Sequence, residues 1–272
     1  MRQFQRRVSV RRRTTVDPNV KNLLYDHPEY YEVLYPELHD ETPNMCRRIF
    51  DRYLSEIPRS ILDIGCGTGR DLRSLRKTCP DCVGMDYLPQ MIEYARSRSS
   101  SVTYFVGDMR TWRHDRTFDV VLCFGSVILY AISDQDVDQT LETFVAHSHH
   151  GSLLIIDMRN ASAYLGRDFD ASIEGDVASP EFTAHYTEEY SLNRRRQLLC
   201  RKRTWEISDG TRAQDYCEYR LFLPHEIEYR LRKKGFTVLG MYDNKELHES
   251  DLSGSTLYVV AEYEENIGKR GT

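Results

Sequence analysis

"RSILDIGCGTGRDL", residues 59–72, decides how the rest of the chain is read. A short apolar run ends at Asp63 and passes straight into glycines at 65, 67 and 69. Glycines at alternate positions strip side chains from one surface of the backbone, so something else can come close to it. An apolar strand, a glycine turn and a helix opening at the glycines make a crevice at the carboxyl end of a parallel strand, where nucleotides bind. The spacing is one residue tighter than the dinucleotide fingerprint, whose helix N-terminus meets a pyrophosphate. Arg70 is the one basic group in the loop. A ligand without phosphates that carries an amino group and a carboxylate suits this loop better.

Outward from that stretch, strand and helix signals alternate. "DCVGMDY", "VTYFVGD", "FDVVLCFGS" and "GSLLIIDM" read as the second to fifth strands. Between them lie "LPQMIEYARSRS", with Pro89 suited to a first turn, and "SDQDVDQTLETFVAHS", in which Ser133 and Asp136 form a capping box. Near-continuous apolar strands separated by amphipathic helices indicate a parallel sheet covered on both faces. The preceding "LYDHPEYYEVLYPELHDETPNMCRRIFDRYLSEI", residues 24–57, is a tyrosine-rich helical prelude with Cys46, Ile49, Phe50 and Tyr53 at helical spacing. At residue 160 the rhythm breaks. Period-two segments with turns at Leu192-Asn193 and Asp209-Gly210 predict three inserted antiparallel strands. Helical period returns in "LPHEIEYRLRKKG", stopped at Gly235, and "FTVLGMYD" and "STLYVVAEY" complete the sheet.

The ends of successive strands carry the chemistry. Asp86 closes the second strand, where an acid can hold both hydroxyls of a ribose. After the third strand, Asp108 can accept from an exocyclic amine and Met109 can cover an adenine face. An adenosyl group joined to an amino acid is S-adenosyl-L-methionine.

On these motifs the chain resembles the class I S-adenosylmethionine-dependent methyltransferases over roughly residues 25–265. "LDIGCGTGR", "GMDY", "GDM" and "FDVVLCFGS" correspond to that family's successive cofactor motifs. Within it the chain is most similar to bacterial small-molecule N-methyltransferases acting on nucleotide-linked amino sugars. It shares their leading Tyr31-to-Tyr35 pattern and the Phe124-to-Tyr130 stretch. The resemblance implies an α/β fold: a Rossmann-like seven-stranded mixed sheet with helices on both faces, plus an antiparallel insertion forming a lid. The chain divides into a disordered basic tail at 1–14, which departs from that family's pattern, a helical lid segment at 15–58, a cofactor core at 59–160, the insertion at 161–222, core completion at 223–265 and a tail at 266–272. It places Gly65, Cys66, Gly67, Gly69 and Arg70 along the methionine portion of the cofactor, with Asp63 orienting its amine and Tyr31 or Tyr35 reaching its carboxylate. Asp86, Tyr87 and Met91 fall to the ribose side, Asp108 and Met109 to the adenine, and Cys123 and Phe124 to the end of the fourth strand.

A sulfonium already activates its methyl group, so such a protein mainly aligns an acceptor lone pair and excludes water. Tyr130 is the first-choice acceptor-side residue, beside Phe124 and Ser126. His185 and His225 are candidate bases, since an amine must be neutral to attack. The expected acceptor is an amine nitrogen; oxygen or carbon is the alternative. Six cations in "RRRQLLCRKR", residues 194–203, suit a phosphorylated acceptor. A homodimer is the candidate assembly.

Composition narrows the classes. Apolar residues at 40% and charged residues at 29% describe an ordinary globular chain, with no apolar run near the ~20 residues a membrane span needs. Residues 1–13 hold six arginines and no acid, leaving 31 bases against 42 acids, so the body repels a phosphate backbone and nucleic acid is a poor partner. The arginine arm reads as solvated and disordered, and it lacks the apolar segment of a secretory signal. Seven scattered cysteines suggest a reducing compartment, the cytoplasm, rather than a disulfide framework. "HSHHG" at 147–151 closes the helix before it, with Gly151 as the stop; it and "CPDC" at 79–82 lack the partners that complete a metal site, so no metal is expected.

Overall fold

A computed structural model describes residues 22–36, 40–165, 172–180 and 182–264. The arginine arm and the C-terminal tail lie outside them. Strand β1 (Ser60–Ile64) leads into α4 (Arg70–Leu75), β2 (Asp81–Asp86) into α5 (Pro89–Arg98), and β3 (Thr103–Val106) precedes β4 (Phe118–Cys123). Helix α6 (Asp134–Ala146), β5 (Ser148–Arg159) and the short α7 (Ala161–Tyr164) follow, and α8 (Pro224–Lys233), β10 (Phe236–Tyr242) and β11 (Thr256–Tyr263) close the unit. The strands order as β10-β11-β5-β4-β1-β2-β3 in one seven-stranded sheet, with β11 antiparallel to both neighbours. The order reverses between β1 and β4. A crevice opens there beyond the carboxyl ends of the strands.

Alternation within the apolar strands sends successive residues to opposite faces of the sheet. Leu62, Ile64, Val121, Leu154 and Ile156 join one cluster with Leu141 and Phe144 of α6 and Leu231 of α8. Ile61, Val120, Leu122, Leu153 and Ile155 join the other with Ile49 and Phe50 of α3 (Glu41–Tyr53) and Leu72 of α4. Each fully buried Leu or Ile contributes about 1.5–3 kcal/mol. Pro89 occupies the first turn of α5, and the Ser133–Asp136 capping box starts α6.

Two expectations need correction. The insertion has four antiparallel strands, not three: β6 (Ser172–Ala178), β7 (Thr183–Asn193), β8 (Leu198–Ile207) and β9 (Arg212–Arg220). Strand β6 is "SIEGDVA", an edge strand whose acids and glycine hide its period. The second concerns the histidines. Helix α6 ends at Ala146, and Ser148 to His150 already belong to β5. Gly151, at φ +86°, therefore serves a bulge in the β4–β5 register rather than a helix stop. His147 is fully buried: its Nδ1 bonds the Thr143 carbonyl, and its Nε2 accepts from the His114 N–H at 2.9 Å.

The prelude forms α1 (Leu23–Asp26), α2 (Pro28–Leu34) and α3. A third apolar cluster joins α1 and α2 to the inserted sheet through Leu24, Phe182, Ala184 and Trp205, with Tyr30 stacked on Phe182 at 4.0 Å. The Leu23 N–H donates to Asp215 of β9 at 2.8 Å, which fixes the start of α1.

Candidate active site

The glycine loop is held by its own chain as much as it is opened for a ligand. Gly65 has φ +84°, and a Cβ there would lie 2.5 Å from Val127 on the turn after β4. At Gly69 a Cβ would strike the Tyr104 hydroxyl. Gly67 alone of the three faces open space. Its N–H donates to Asp86 Oδ2 at 2.9 Å, tying the loop to the end of β2, while Asp86 Oδ1 accepts from the Leu88 N–H. Burial pushes the Asp86 carboxyl up, against those hydrogen bonds.

A cleft of about 850 Å³, partly open to solvent, lies on one side of the loop. Gly65 and Gly67 form its floor, and Asp86, Tyr87 and Met91 line it with Asp108 and Met109. Asp108 is engaged within the protein: Arg110 donates to both its oxygens, at 2.7 and 2.9 Å among others, and reaches on to Asp136. Arg110 lines the cleft too and was not singled out from the sequence. At the far wall stand Tyr25 and Tyr130, their hydroxyls 2.7 Å apart. Tyr130 ends the 3-10 turn Val127–Tyr130, and its ring meets Tyr219 of β9 at 5.3 Å.

A second cavity lies on the other side and shares Tyr31, Gly65, Gly67 and Phe124 with the first. Asp63, Cys66, Arg70 and Tyr35 line it, together with Asp157 at the end of β5. Asp63 is 2% exposed and its Oδ1 has no hydrogen-bond partner. Desolvation, then the charges of Asp71, Asp86 and Asp157, hold its carboxyl well above the usual range. Asp157 is pushed up to about 6 by burial, although the Ser126 N–H donates to it at 2.9 Å. Arg70 donates to the Tyr35 carbonyl and lies 5.6 Å from the Tyr31 ring. Tyr31 of the prelude thus stands where the two cavities meet.

Other predicted residues lie elsewhere. Cys123 is sealed in the core beneath the site. His185 faces away from the cavities, since Glu188 and Tyr190 of the same strand take the inner side; its Nδ1 pairs with Asp176 at 2.9 Å, which raises its pKa. His225 starts α8 with its side chain 86% exposed. The structure brings neither histidine to the cleft, because strand alternation and helix position turn both to solvent. Cys79 and Cys82 are buried, and the Cys82 thiol donates to the Cys79 carbonyl.

Residues 61–151 match the family model of a methyltransferase domain. That domain holds the glycine loop, Asp86, Asp108 and Tyr130. Two curated relatives extend the likeness. The dTDP-3-amino-3,4,6-trideoxy-alpha-D-glucopyranose N,N-dimethyltransferase of Streptomyces venezuelae is 28% identical over 48% of this chain and 56% of its own. The dTDP-3-amino-3,6-dideoxy-alpha-D-glucopyranose N,N-dimethyltransferase of Streptomyces fradiae is 32% identical over 36% and 38%. The matches thus span about half or less of those relatives' length. The crystal structure of a sugar N-methyltransferase from Streptoalloteichus superposes with TM-score 0.73 at 19% identity, covering 96% of this chain and all of that one. The inserted sheet and helical prelude therefore belong to the shared fold together with the methyltransferase domain. Among the described residues no helix is long and apolar enough to cross a membrane.

Proposed function

We propose that this protein transfers a methyl group from S-adenosyl-L-methionine to the nitrogen of a small-molecule amine, such as an amino sugar or another natural-product intermediate. The observation that carries the reading is Asp63: a buried carboxyl oxygen without a donor, in the lining of the second cavity, calls for a ligand cation. The α-ammonium of the cofactor is such a cation. Gly67 has open space beside it, and Asp86 and Asp108 line the first cleft, which supports them as the acceptors for ribose and adenine. When bound, the cofactor supplies a methyl group already activated by its sulfonium. Tyr25, Tyr130 and Phe124 orient the acceptor and exclude water, and positive charge passing to the acceptor nitrogen is favoured by their ring faces. The relatives' names support an amino-sugar acceptor.

The same reading includes a phosphorylated acceptor, supported by the inward-facing Arg201 and Arg203 of residues 194–203, and a cytoplasmic location, supported by seven free cysteines. The proposed assembly is a homodimer, to be checked by light scattering. Calorimetry should show binding of S-adenosylmethionine and S-adenosylhomocysteine without binding of NAD, and a screen of amines with methyl-labelled cofactor should find the acceptor. Tight NAD binding with silent S-adenosylhomocysteine titrations would overturn the reading.

A further inference from the structure

The six cations of residues 194–203 divide into two groups. Arg194, Arg195 and Arg196 sit on the exposed turn between β7 and β8, and Lys202 is exposed on the outer face. Arg201 and Arg203 point inward, 4% and 1% exposed. Arg159, at the end of β5, joins them from below through a shared neighbour: its guanidinium lies 5.3 Å from the Tyr219 ring, and that of Arg201 lies 5.6 Å from the same ring.

The carboxylates near this group are mostly engaged. Glu188 pairs with Arg203 and accepts from the Tyr190 hydroxyl, and it approaches Arg201 no closer than 3.8 Å. Asp215, opposite Arg203 on β9, accepts from Trp205 Nε1 at 2.7 Å and from the Leu23 N–H. Arg220 has its own partners in Asp134 and Glu226. Arg159 donates to the Tyr164 hydroxyl at 2.8 Å and otherwise stands among tyrosine rings. Arg201 Nε and Arg203 Nη1 are buried without an acceptor. Two buried guanidinia that share the single Glu188 carboxylate leave positive charge uncompensated, and planar N–H donors are built to grip an oxyanion. None of the three guanidinia lines either cavity, and they reach both through tyrosines. Tyr219 touches both Arg201 and Tyr130, and Arg203 Nη2 donates to the Tyr35 hydroxyl at 2.7 Å, at the second cavity.

We propose that Arg159 and Arg201 form the seat for an oxyanion of the acceptor, a carboxylate or a phosphate, one aromatic ring beyond Tyr130. Calling the ligand the acceptor rests on the methyl-transfer reading; the anion seat does not. An acceptor held there by its charge would present its nitrogen to the Tyr25–Tyr130 wall. The exposed arginines of the turn take no part.

The test titrates the full chain, saturated with S-adenosylhomocysteine, with inorganic pyrophosphate, orthophosphate or malonate, followed by calorimetry. A phosphate arm that saturates identifies a phosphorylated source, and malonate alone a carboxylate source; either supports the seat. Arg201→Gln and Arg159→Gln should each weaken that binding about tenfold or more, as loss of a charge-assisted pair does, whereas Arg195→Gln should leave it unchanged. If Arg201→Gln does not fold, Arg159→Gln and Arg201→Lys carry the test, since lysine keeps the charge and loses the planar fork. Three silent anions, or a loss that follows Arg195 rather than Arg201, would overturn the seat. S-adenosylhomocysteine affinity is read in the same samples, so failure of the cofactor reading is visible separately.

Discussion

Asp63→Asn should move stability and cofactor affinity in opposite directions. In the ligand-free protein the Asp63 carboxylate is nearly inaccessible, one oxygen has no donor, and three neighbouring carboxylates repel it. An unsatisfied buried group costs about 1–3 kcal/mol, so a neutral amide of the same shape should stabilise the free chain by about 1–2 kcal/mol. For a domain of this size that raises Tm by about 2–8 °C. With the cofactor's ammonium present the sign reverses. A hydrogen bond between charged groups contributes about 1.5–3 kcal/mol, so its loss should weaken S-adenosylhomocysteine binding roughly 10- to 150-fold. The pH dependence has the matching sign. With its folded pKa raised, the native state holds a proton that the unfolded chain has released above the ordinary carboxylate pKa. Free-protein stability therefore falls as pH rises through that window, and cofactor affinity rises as the carboxyl ionises. Scanning calorimetry and titration of both proteins over a series of pH values above the ordinary carboxylate range read both effects. Cofactor affinity within threefold of wild type would show that Asp63 does not hold the ammonium.

Gly65→Ala should destabilise by about 2–4 kcal/mol in urea denaturation, combining a left-handed φ with a Cβ 2.5 Å from Val127, and adding Val127→Ala should recover only the part due to the clash. Tyr25→Phe and Tyr130→Phe each leave one hydroxyl of the pair alone, so a double-mutant cycle should give about 0.5–1.5 kcal/mol of coupling. In turnover assays Tyr130→Phe should lower kcat more than it raises KM. Asp157→Asn should remove a pH dependence. A carboxyl at about 6 in the folded state, against 3.8 ordinarily, destabilises the protein by up to about 3 kcal/mol at neutral pH and by little at pH 4, so urea midpoints of wild type and variant should converge in acid.

What was legible in the sequence was what local chemistry and period control. Five parallel strands, the glycine turn, Asp86 and Asp108 were visible because each sits at the end of an apolar run. The capping box of α6 was visible because Ser133 and Asp136 carry their own hydrogen bonds. Strand β6 was missed because an edge strand needs little apolar surface, and His149 was misplaced because a bulge imitates a helix stop. Site residues recruited across long separations left no local signal. Tyr25 meets Tyr130 only because α1 is pinned by Asp215, and Asp157 reaches its cavity only through β5 lying beside β4. The chemistry of His185 and His225 says nothing of the side of the strand or helix they face.

The apolar cluster that joins α1 and α2 to the inserted sheet has a consequence for chimaeras. Two stretches separated by more than a hundred residues, one before the glycine loop and one after β5, make a single core between them. An insertion transplanted alone into another methyltransferase scaffold would expose Phe182 and Trp205 where Leu24 and Tyr30 had covered them. A donor graft intended to carry acceptor choice from this chain must therefore be cut twice, once on each side of the cofactor half, and the host's own leading helices must be removed with its insertion.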